Sequence, residues 1–484
     1  MEERAVNPPS LNSKRNSLVE KALAGIDSLV SFTNTSGIQG RGTLVHISRS
    51  VAVFEVYNPY SLVQLSEVLQ EIAVVRGERV IYRGRGVVTS LVATGLMVIA
   101  SVTLIDSWSN LDHLEPGPML SNEVEKFIHD WEEGRDISEG YQLAVNKFSN
   151  FLAATSRWIE EAETAIVGDI TANEEKAGRF RESLEEPVAG KLGQLLNDFQ
   201  TAALQVPEED ATTYKSFAQR EIHPYMLCAP FVWRTFYKPL GYAGDYEMVN
   251  MMLKESPTVG TTTYARIFHD LTSSVAACVA HRNRVTIMER LLAEEAERVT
   301  SEEQRIFTAL TVACGPAVEI QRFIRNHDVA NQCALHLMDF NEETLAYTKK
   351  RVTDIMAETG RKPAVKFIQK SVDDLLKNIH LESEGFLPTY DMIYCAGLFD
   401  YFPDNVCRNL LQLYYKWVRP GGLLLTTNVH PNNPERPLME HLLEWYLIYR
   451  DEAHLASLAP KGTEGEVFAD ETGVNVFLTI RKTE

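Results

Sequence analysis

Apolar residues recur along this chain in three successive rhythms. Over residues 25–105 they alternate with polar ones in short runs punctuated by glycine: 29–32, 42–48, 51–56, 78–82, and then a long apolar stretch over 87–105. Period two with many β-branched residues predicts strands, and many short strands with glycine turns predict a small barrel. The stretch 87–105 is nominally long enough for a membrane span. Thr89, Ser90, Thr94, Gly95, Ser101 and Thr103 interrupt it, so two strands meeting near Gly95 are expected instead. Over residues 122–205 the spacing changes to three and four: Val145, Phe148, Leu152, Thr155, Ile159, Ala162 and Ile166, then Leu192, Leu195, Leu196 and Phe199. These stripes predict helices whose apolar faces form a bundle core or a dimer seam. From Phe307 onward, short buried strands alternate with helical segments: 307–312, 334–338, 365–368, 390–395 and 418–427. Residues 467–469 and 474–480, around the turn Asp470-Glu-Thr-Gly473, predict a closing antiparallel hairpin.

The expected architecture is therefore multidomain: a small N-terminal β-barrel, a central α-helical region, and a C-terminal α/β Rossmann-like domain with a seven-stranded sheet. Boundaries are expected at 1–24 for an N-terminal extension, 25–110 for the barrel, 111–222 for the helical region, 223–304 for a helical lead-in that covers a site, and 305–484 for the α/β domain. A length of 484 residues agrees with about three domains at roughly 150 residues each.

Charge narrows the partners. A formal net charge of −19 repels phosphate backbones, and no basic patch offsets it, so a nucleic-acid substrate is not expected. Cys228, Cys278, Cys314, Cys333, Cys395 and Cys407 are dispersed without a C-x-x-C pair or a histidine cluster at metal spacing. We expect no metal, a reduced cytoplasmic setting, no stable membrane insertion and no signal peptide at the polar, proline-containing N-terminus.

The chemistry concentrates at Phe307-Thr-Ala-Leu-Thr-Val-Ala-Cys-Gly-Pro-Ala-Val-Glu319. An apolar strand that reaches a glycine and enters a helix brings backbone N–H groups to a ligand, and Asp339 closes the next strand, where a carboxylate can bind ribose hydroxyls. A dinucleotide site needs G-x-G-x-x-G, whereas this turn has one glycine, so NAD is disfavoured. An ordinary strand–turn–helix with Asp339 as a helix cap is the bland alternative.

The run resembles motif I of class I S-adenosylmethionine-dependent methyltransferases, and the later strands and the Pro420-Gly-Gly422 turn follow in that family's order. The resemblance implies S-adenosyl-L-methionine as cofactor. It places Ala313, Gly315 and Glu319 around the methionine moiety and Asp339 with Phe340 at the ribose. It puts Asp373 or Asp374 near adenine, and Cys395, Ala396 and Gly397 beneath the sulfonium. For Asp373 and Asp374 helix capping is the competing role.

Two further segments are rich in polar and aromatic groups: Trp233-Arg-Thr-Phe-Tyr-Lys-Pro-Leu-Gly-Tyr-Ala-Gly-Asp-Tyr246 and His281-Arg-Asn-Arg284. Either a functional loop or a domain joint has this character. With the Gly315 turn, residues 238–249 and 281–284 are similar to the bacterial family of 3-hydroxypalmitic acid methyl ester biosynthesis proteins, over roughly residues 220–484. That resemblance implies esterification of the carboxyl group of a 3-hydroxy fatty acid into a methyl ester quorum-sensing signal. Tyr242, Tyr246, His281 and Arg284 are then the candidate catalytic groups, and Arg234, Tyr242, Arg282, Trp445 and Tyr449 the candidate substrate contacts. A helix through residues 442–449 would either line an acyl tunnel or pack on the sheet. The barrel looks like a PilZ domain whose cyclic-di-GMP motif is degenerate: Arg41 stands near the arginine pair, His46 replaces the acid, Ser48 is kept, and Val51 replaces the glycine. Two other functions stay open: a non-catalytic signalling protein with a retired methyltransferase domain, and methylation of another small molecule on oxygen or nitrogen. The expected partners are a small apolar acid and, through the helical region or barrel, a second copy of the chain.

Overall fold

A computed structural model describes residues 28–106, 137–377 and 390–483, apart from breaks at 49, 57–62, 77–78, 94–96 and 169–172, together with 121, 124–125 and 128–129. The expected extension at 1–24 and the turn at Gly95 lie outside the described residues.

Strands β1 (Ser28–Thr33), β2 (Gln39–Ile47), β3 (Val51–Val56), β4 (Val68–Arg76), β5 (Arg79–Ala93) and β6 (Val98–Leu104) close into an antiparallel barrel in the order β1-β2-β3-β6-β5-β4. Alternation fills its interior with Val30, Phe32, Ala52, Phe54, Ile72, Val74, Val88, Ala100 and Val102. One strand escapes the sequence pattern. In β4, Gln70 and Glu71 are consecutive polar residues in a bulge between Leu69 and Ile72, and Glu71 has φ +51°. The extra residue breaks the period-two signal without ending the strand. The expected strand at 78–82 and the first half of the 87–105 run are one continuous strand, β5. Gly86 lets it bend inward, since a Cβ there would stand 2.4 Å from the Val102 side chain. Arg41 and His46 are exposed on β2, and Ser48 accepts the Val51 N–H at 3.1 Å in the turn that follows.

Helices Glu139–Ile166, Glu174–Ala203 and Ala211–Met226 pack into a bundle. Its core joins Tyr141, Val145, Phe148, Leu152 and Ile159 to Leu192, Leu195, Leu196 and Phe199, together with Leu438 and Leu442 from the C-terminal domain. Most of the predicted stripe positions are thus covered by this chain's own helices, and Ile166 at the end of the first helix stays exposed. Among the described residues no helix is long and apolar enough to cross a membrane.

The third layer is a seven-stranded sheet in the order β12-β13-β11-β10-β7-β8-β9. Its strands are β7 (Phe307–Val312), β8 (Cys333–Asp339), β9 (Ala364–Gln369), β10 (Tyr390–Cys395), β11 (Val418–Val429), β12 (Gly465–Ala469) and β13 (Asn475–Arg481). The five strands β11, β10, β7, β8 and β9 run parallel, and β13 is antiparallel to β11 and β12. Chain order reverses between β7 and β10, so their carboxyl ends open a crevice, the position where such sheets bind ligands.

The expected helix over 442–449 is not formed. Helix Arg436–Leu442 ends through Leu443 and the left-handed Glu444 (φ +48°), and the chain continues without regular secondary structure. From Trp445 to Ile448 the side chains alternate between two environments. Leu443, Trp445 and Leu447 face a cavity beside the sheet, whereas Tyr446 and Ile448 join the barrel core. Ser66 Oγ bridges the Tyr446 backbone, and Ile448 N–H donates to the Asp400 carbonyl at 2.7 Å. This segment is the seam that joins barrel, bundle and sheet.

Candidate active site

Where β7 ends, three residues in five take left-handed backbone: Ala313 (φ +54°), Gly315 (+51°) and Ala317 (+50°). Glycine adopts this without cost; each alanine carries about 1 kcal/mol or more of strain. A Cβ on Gly315 would meet nothing within 4 Å, because the position opens onto empty space. The turn is held by its neighbours. Gly315 N–H donates to Asp339 Oδ2 at 3.1 Å, Asn341 N–H to Asp339 Oδ1 at 3.0 Å, and Thr348 Oγ1 to the Gly315 carbonyl at 2.7 Å. Burial pushes the Asp339 carboxyl up from its ordinary value, against the pull of these N–H groups.

Two cavities meet over this turn, sharing Gly244, Ala313, Gly315, Ala396, Gly397 and Tyr401. The smaller, of about 870 Å³, runs past Asp339, Phe340 and Tyr242 to residues 370–372. Tyr242 packs on Phe340 with ring centroids 5.0 Å apart, so an aromatic corner stands beside the carboxylate. Its aromatic wall and its acidic residue fit a nucleoside.

The larger cavity, of about 1240 Å³ including its mouth, is walled by Phe231, Met248, Met252, Val275, Met288 and Trp445. His281, Arg284, Glu319, Asp400 and Glu435, with Asn433 and Asn475, stand among these apolar side chains. Arg284 is the unusual member. It is buried, packs against Gly397, and donates to His281 Nε2, and among the described residues no carboxylate lies within ion-pair distance of it. Asp400 and Glu319 reach it only as more distant charges. Arg450, also buried, shows the contrast: its nitrogens donate to Asp404 Oδ1, Asn428 Oδ1 and the carbonyls of Phe399 and Phe402. Arg450 therefore holds the loop after β10, whereas Arg284 points a guanidinium at a space. Burial, and then the Arg284 charge, hold the His281 imidazole well below its ordinary pKa. A neutral ring accepting on Nε2 steadies the guanidinium. Burial raises the Asp400 carboxyl to about 6, against the Val429 N–H and Arg284.

The structure brings together only part of the expected set. Ala313, Gly315, Glu319, Ala396, Gly397, His281, Arg284 and Trp445 line the larger cavity, and Asp339, Phe340, Tyr242 and Tyr246 the smaller. Tyr242 is thus displaced from its expected catalytic place to the nucleoside side. Tyr246 donates to Glu343 Oε1 at 2.9 Å and stacks on Tyr347, at the rim. Arg234 is a structural group: its Nε donates to both Asp245 oxygens at 2.7 and 2.9 Å, and Asp245 caps helix Tyr246–Leu253. Arg282 donates to the carbonyls of Met252 and Ser273 and lines neither cavity. Tyr449 packs under Arg436 and lines neither cavity. Asp374 Oδ2 accepts from the N–H and Oγ of Ser371, the capping role; Asp373 is buried near Glu67 and off the wall. Cys395 also lies beneath the surface that Ala396 and Gly397 form.

Two of these arrangements give direct tests. Asp245→Ala leaves the Arg234 cation without its buried partner and uncaps a helix, so an unfolding cost of about 3 kcal/mol is expected in denaturant titration. Gly397 has φ +92°, and a Cβ on it would stand 2.9 Å from Arg284 Nη1. Gly397→Ala must move that guanidinium, and any activity that depends on it should fall roughly tenfold to 100-fold in kcat/KM.

Sequence reading missed Ala317, Asp400, Tyr401 and the methionines of helix Tyr246–Leu253. Left-handed alanines leave no trace in composition, and the helix reads as ordinary core. The loop at 396–402 was at least placed at the end of the fourth sheet strand.

Comparison with known proteins agrees with this geometry. Residues 309–422 match the family model described as a methyltransferase domain. The match spans β7 to β10 and the start of β11 in the sheet described above. No curated protein matches the chain. Among solved structures, a possible exported protein from Bordetella parapertussis is similar at 17% identity, over 52% of this chain and 86% of that one, with a TM-score of 0.40. An O-methyltransferase family protein from Burkholderia thailandensis is similar at 15% identity, over 61% and 84%, with a TM-score of 0.32. The N-methyltransferase NodS from Bradyrhizobium japonicum WM9, in complex with S-adenosyl-L-homocysteine, is similar at 14% identity, over 41% and 88%, with a TM-score of 0.28.

Proposed function

We propose that this protein transfers the methyl group of S-adenosylmethionine to the carboxylate of an apolar acid, with hydroxy fatty acids as the substrate class. The carrying observation is Arg284, a buried guanidinium with no ion-pair partner among the described residues, on the wall of the larger cavity beside the Gly315 turn. A buried charge of this kind is costly unless an anion meets it.

The residues present fit the cofactor. Gly315 leaves room for it, Asp339 faces the ribose position with lone pairs beyond those its two N–H donors use, and Tyr242 with Phe340 offers an apolar face for the base. Bound there, S-adenosylmethionine supplies an electrophilic methyl carbon on a sulfonium. This chain's residues do the rest. Arg284 holds the carboxylate by a forked pair of N–H bonds and keeps one oxygen on line. His281 restrains that fork from behind. Apolar walls from Met248, Met252, Met288 and Trp445 take the acyl chain and exclude water, which strengthens the Arg284 contact. A carboxylate is already ionised at neutral pH, so no general base is needed.

Asp400 supports a second reading. A buried carboxyl raised to about 6 on the cavity wall is placed to take a proton from an amine or hydroxyl acceptor. Incubation of the full chain with methyl-labelled S-adenosylmethionine and a series of free 3-hydroxy acids separates the two. Label released by mild base marks a carboxyl ester and supports the proposal. Base-stable label favours transfer to the hydroxyl, and the absence of transfer to any acid of the series overturns the carboxyl assignment.

A further inference from the structure

We propose that the N-terminal barrel is one wall of the cofactor site and that Gln64, at its rim, reads the adenine ring. The inference rests on the S-adenosylmethionine reading above and assigns the barrel a part in it.

The smaller cavity has walls from two domains. Opposite Asp339 and residues 370–372 stand Ser36, Gln64 and Leu65, all from loops at one end of the barrel. Their position is built in. Glu67, buried beneath them, accepts the Thr35 N–H at 2.8 Å, the Thr35 hydroxyl at 2.5 Å and the Gln64 N–H at 2.8 Å. One carboxylate thus ties together the two loops that supply the wall. The barrel is in turn tied to the sheet domain: Val68 N–H donates to the Gly241 carbonyl at 2.7 Å and Leu65 N–H to the Tyr401 carbonyl at 3.4 Å. Contact is close enough that a Cβ on Gly241 would stand 2.5 Å from Thr35. A barrel docked this tightly, through backbone groups and next to a cavity-lining tyrosine, is part of the site.

Elimination points to Gln64. On the opposite wall the Ser371 hydroxyl donates to Asp374 Oδ2 at 2.7 Å and accepts the Asp374 N–H at 3.1 Å in a helix cap, and Lys370 carries donors only. An adenine edge presents an amino donor beside a ring-nitrogen acceptor, and an amide side chain matches that pair. Gln64 brings such an amide to this wall. Glu67 acts as a positioning residue through the Gln64 backbone.

The test pairs a residue with a ligand group. Calorimetry on the full chain compares S-adenosylhomocysteine with its analogue lacking the adenine 6-amino group, for the natural protein, Gln64→Leu and Gln64→Glu. The natural protein should prefer the amino ligand by about fivefold, and Gln64→Leu should weaken S-adenosylhomocysteine by a similar factor and bind both ligands equally. Gln64→Glu, which keeps the acceptor and removes the donor, should retain the preference at weaker overall affinity. A merely structural role would lower both affinities together and leave the preference intact, and that result overturns the proposal while the cofactor reading stands. So does a natural protein that binds both ligands equally. Binding of neither ligand by the natural protein overturns the cofactor reading, and this inference with it.

Discussion

Asp339→Ala is expected to weaken S-adenosylhomocysteine binding roughly 100-fold or more. The carboxylate has two tasks. It accepts Gly315 N–H and Asn341 N–H, which sets the turn, and it turns its remaining lone pairs to the cavity. Hydrogen bonds to a charged group contribute about 1.5–3 kcal/mol each, so losing those to two ribose hydroxyls accounts for the effect before the turn relaxes. Asp339→Asn should recover part of it, since its amide oxygen still accepts one N–H. Acid acts in opposite senses on binding and on folding. Binding needs the ionised carboxylate and weakens as pH falls through its pKa. Because burial raises that pKa above the unfolded value, this group's contribution to folding is fully present at low pH and is lost as pH rises through the folded value. Calorimetry and thermal melts across the acidic range read the two separately. Binding unchanged in Asp339→Ala would remove the ribose assignment.

The second large effect is Arg284→Met, for which methyl transfer to an acid should fall about 100-fold to 1000-fold while the protein loses no stability. Removing one preorganised donor to a developing or reacting oxygen has this size in other enzymes. Stability should move the other way. Arg284 sits buried beside a neutral His281, with carboxylates only at longer range, so an apolar side chain of similar volume relieves an uncompensated charge. Loss of activity together with a level or higher melting temperature marks a group kept for function. Arg284→Lys keeps the charge but loses the fork, so it should restore only part of the rate. If Arg284→Met keeps the rate and loses cofactor affinity instead, the guanidinium serves the carboxylate of the cofactor, and the substrate assignment falls.

These outcomes bear differently on the parts of the chain. The Gly315 turn, Asp339 and the strand order were legible because each depends on residues close in sequence: an apolar run, a glycine, a carboxylate at the next strand's end. The arginines were not. Arg234, Arg282 and Arg284 look alike in a polar, aromatic stretch, yet one is matched by Asp245, one by backbone carbonyls, and only Arg284 faces a cavity. What distinguishes them is which distant groups reach their nitrogens. Asp373 and Asp374 show the same limit, because a cap and a ligand contact ask for the same residue type at the same helix start.

By itself the sequence determined the periodicities, and with them the barrel, the bundle and the succession of strands along the chain, since strand and helix repeats act over a few residues. The single-glycine turn was local too. Only the tertiary structure decided that residues 443–449 leave the helix, with side chains from Trp445 to Ile448 serving the cavity and the barrel core in turn. Only it decided that Ser66 pairs with Tyr446, 380 residues away. It also brought Gln64 and Ser36 to the wall opposite Asp339. Such pairings are set by the packing of whole domains, which bury a seam whose two sides carry no mutual signal in sequence.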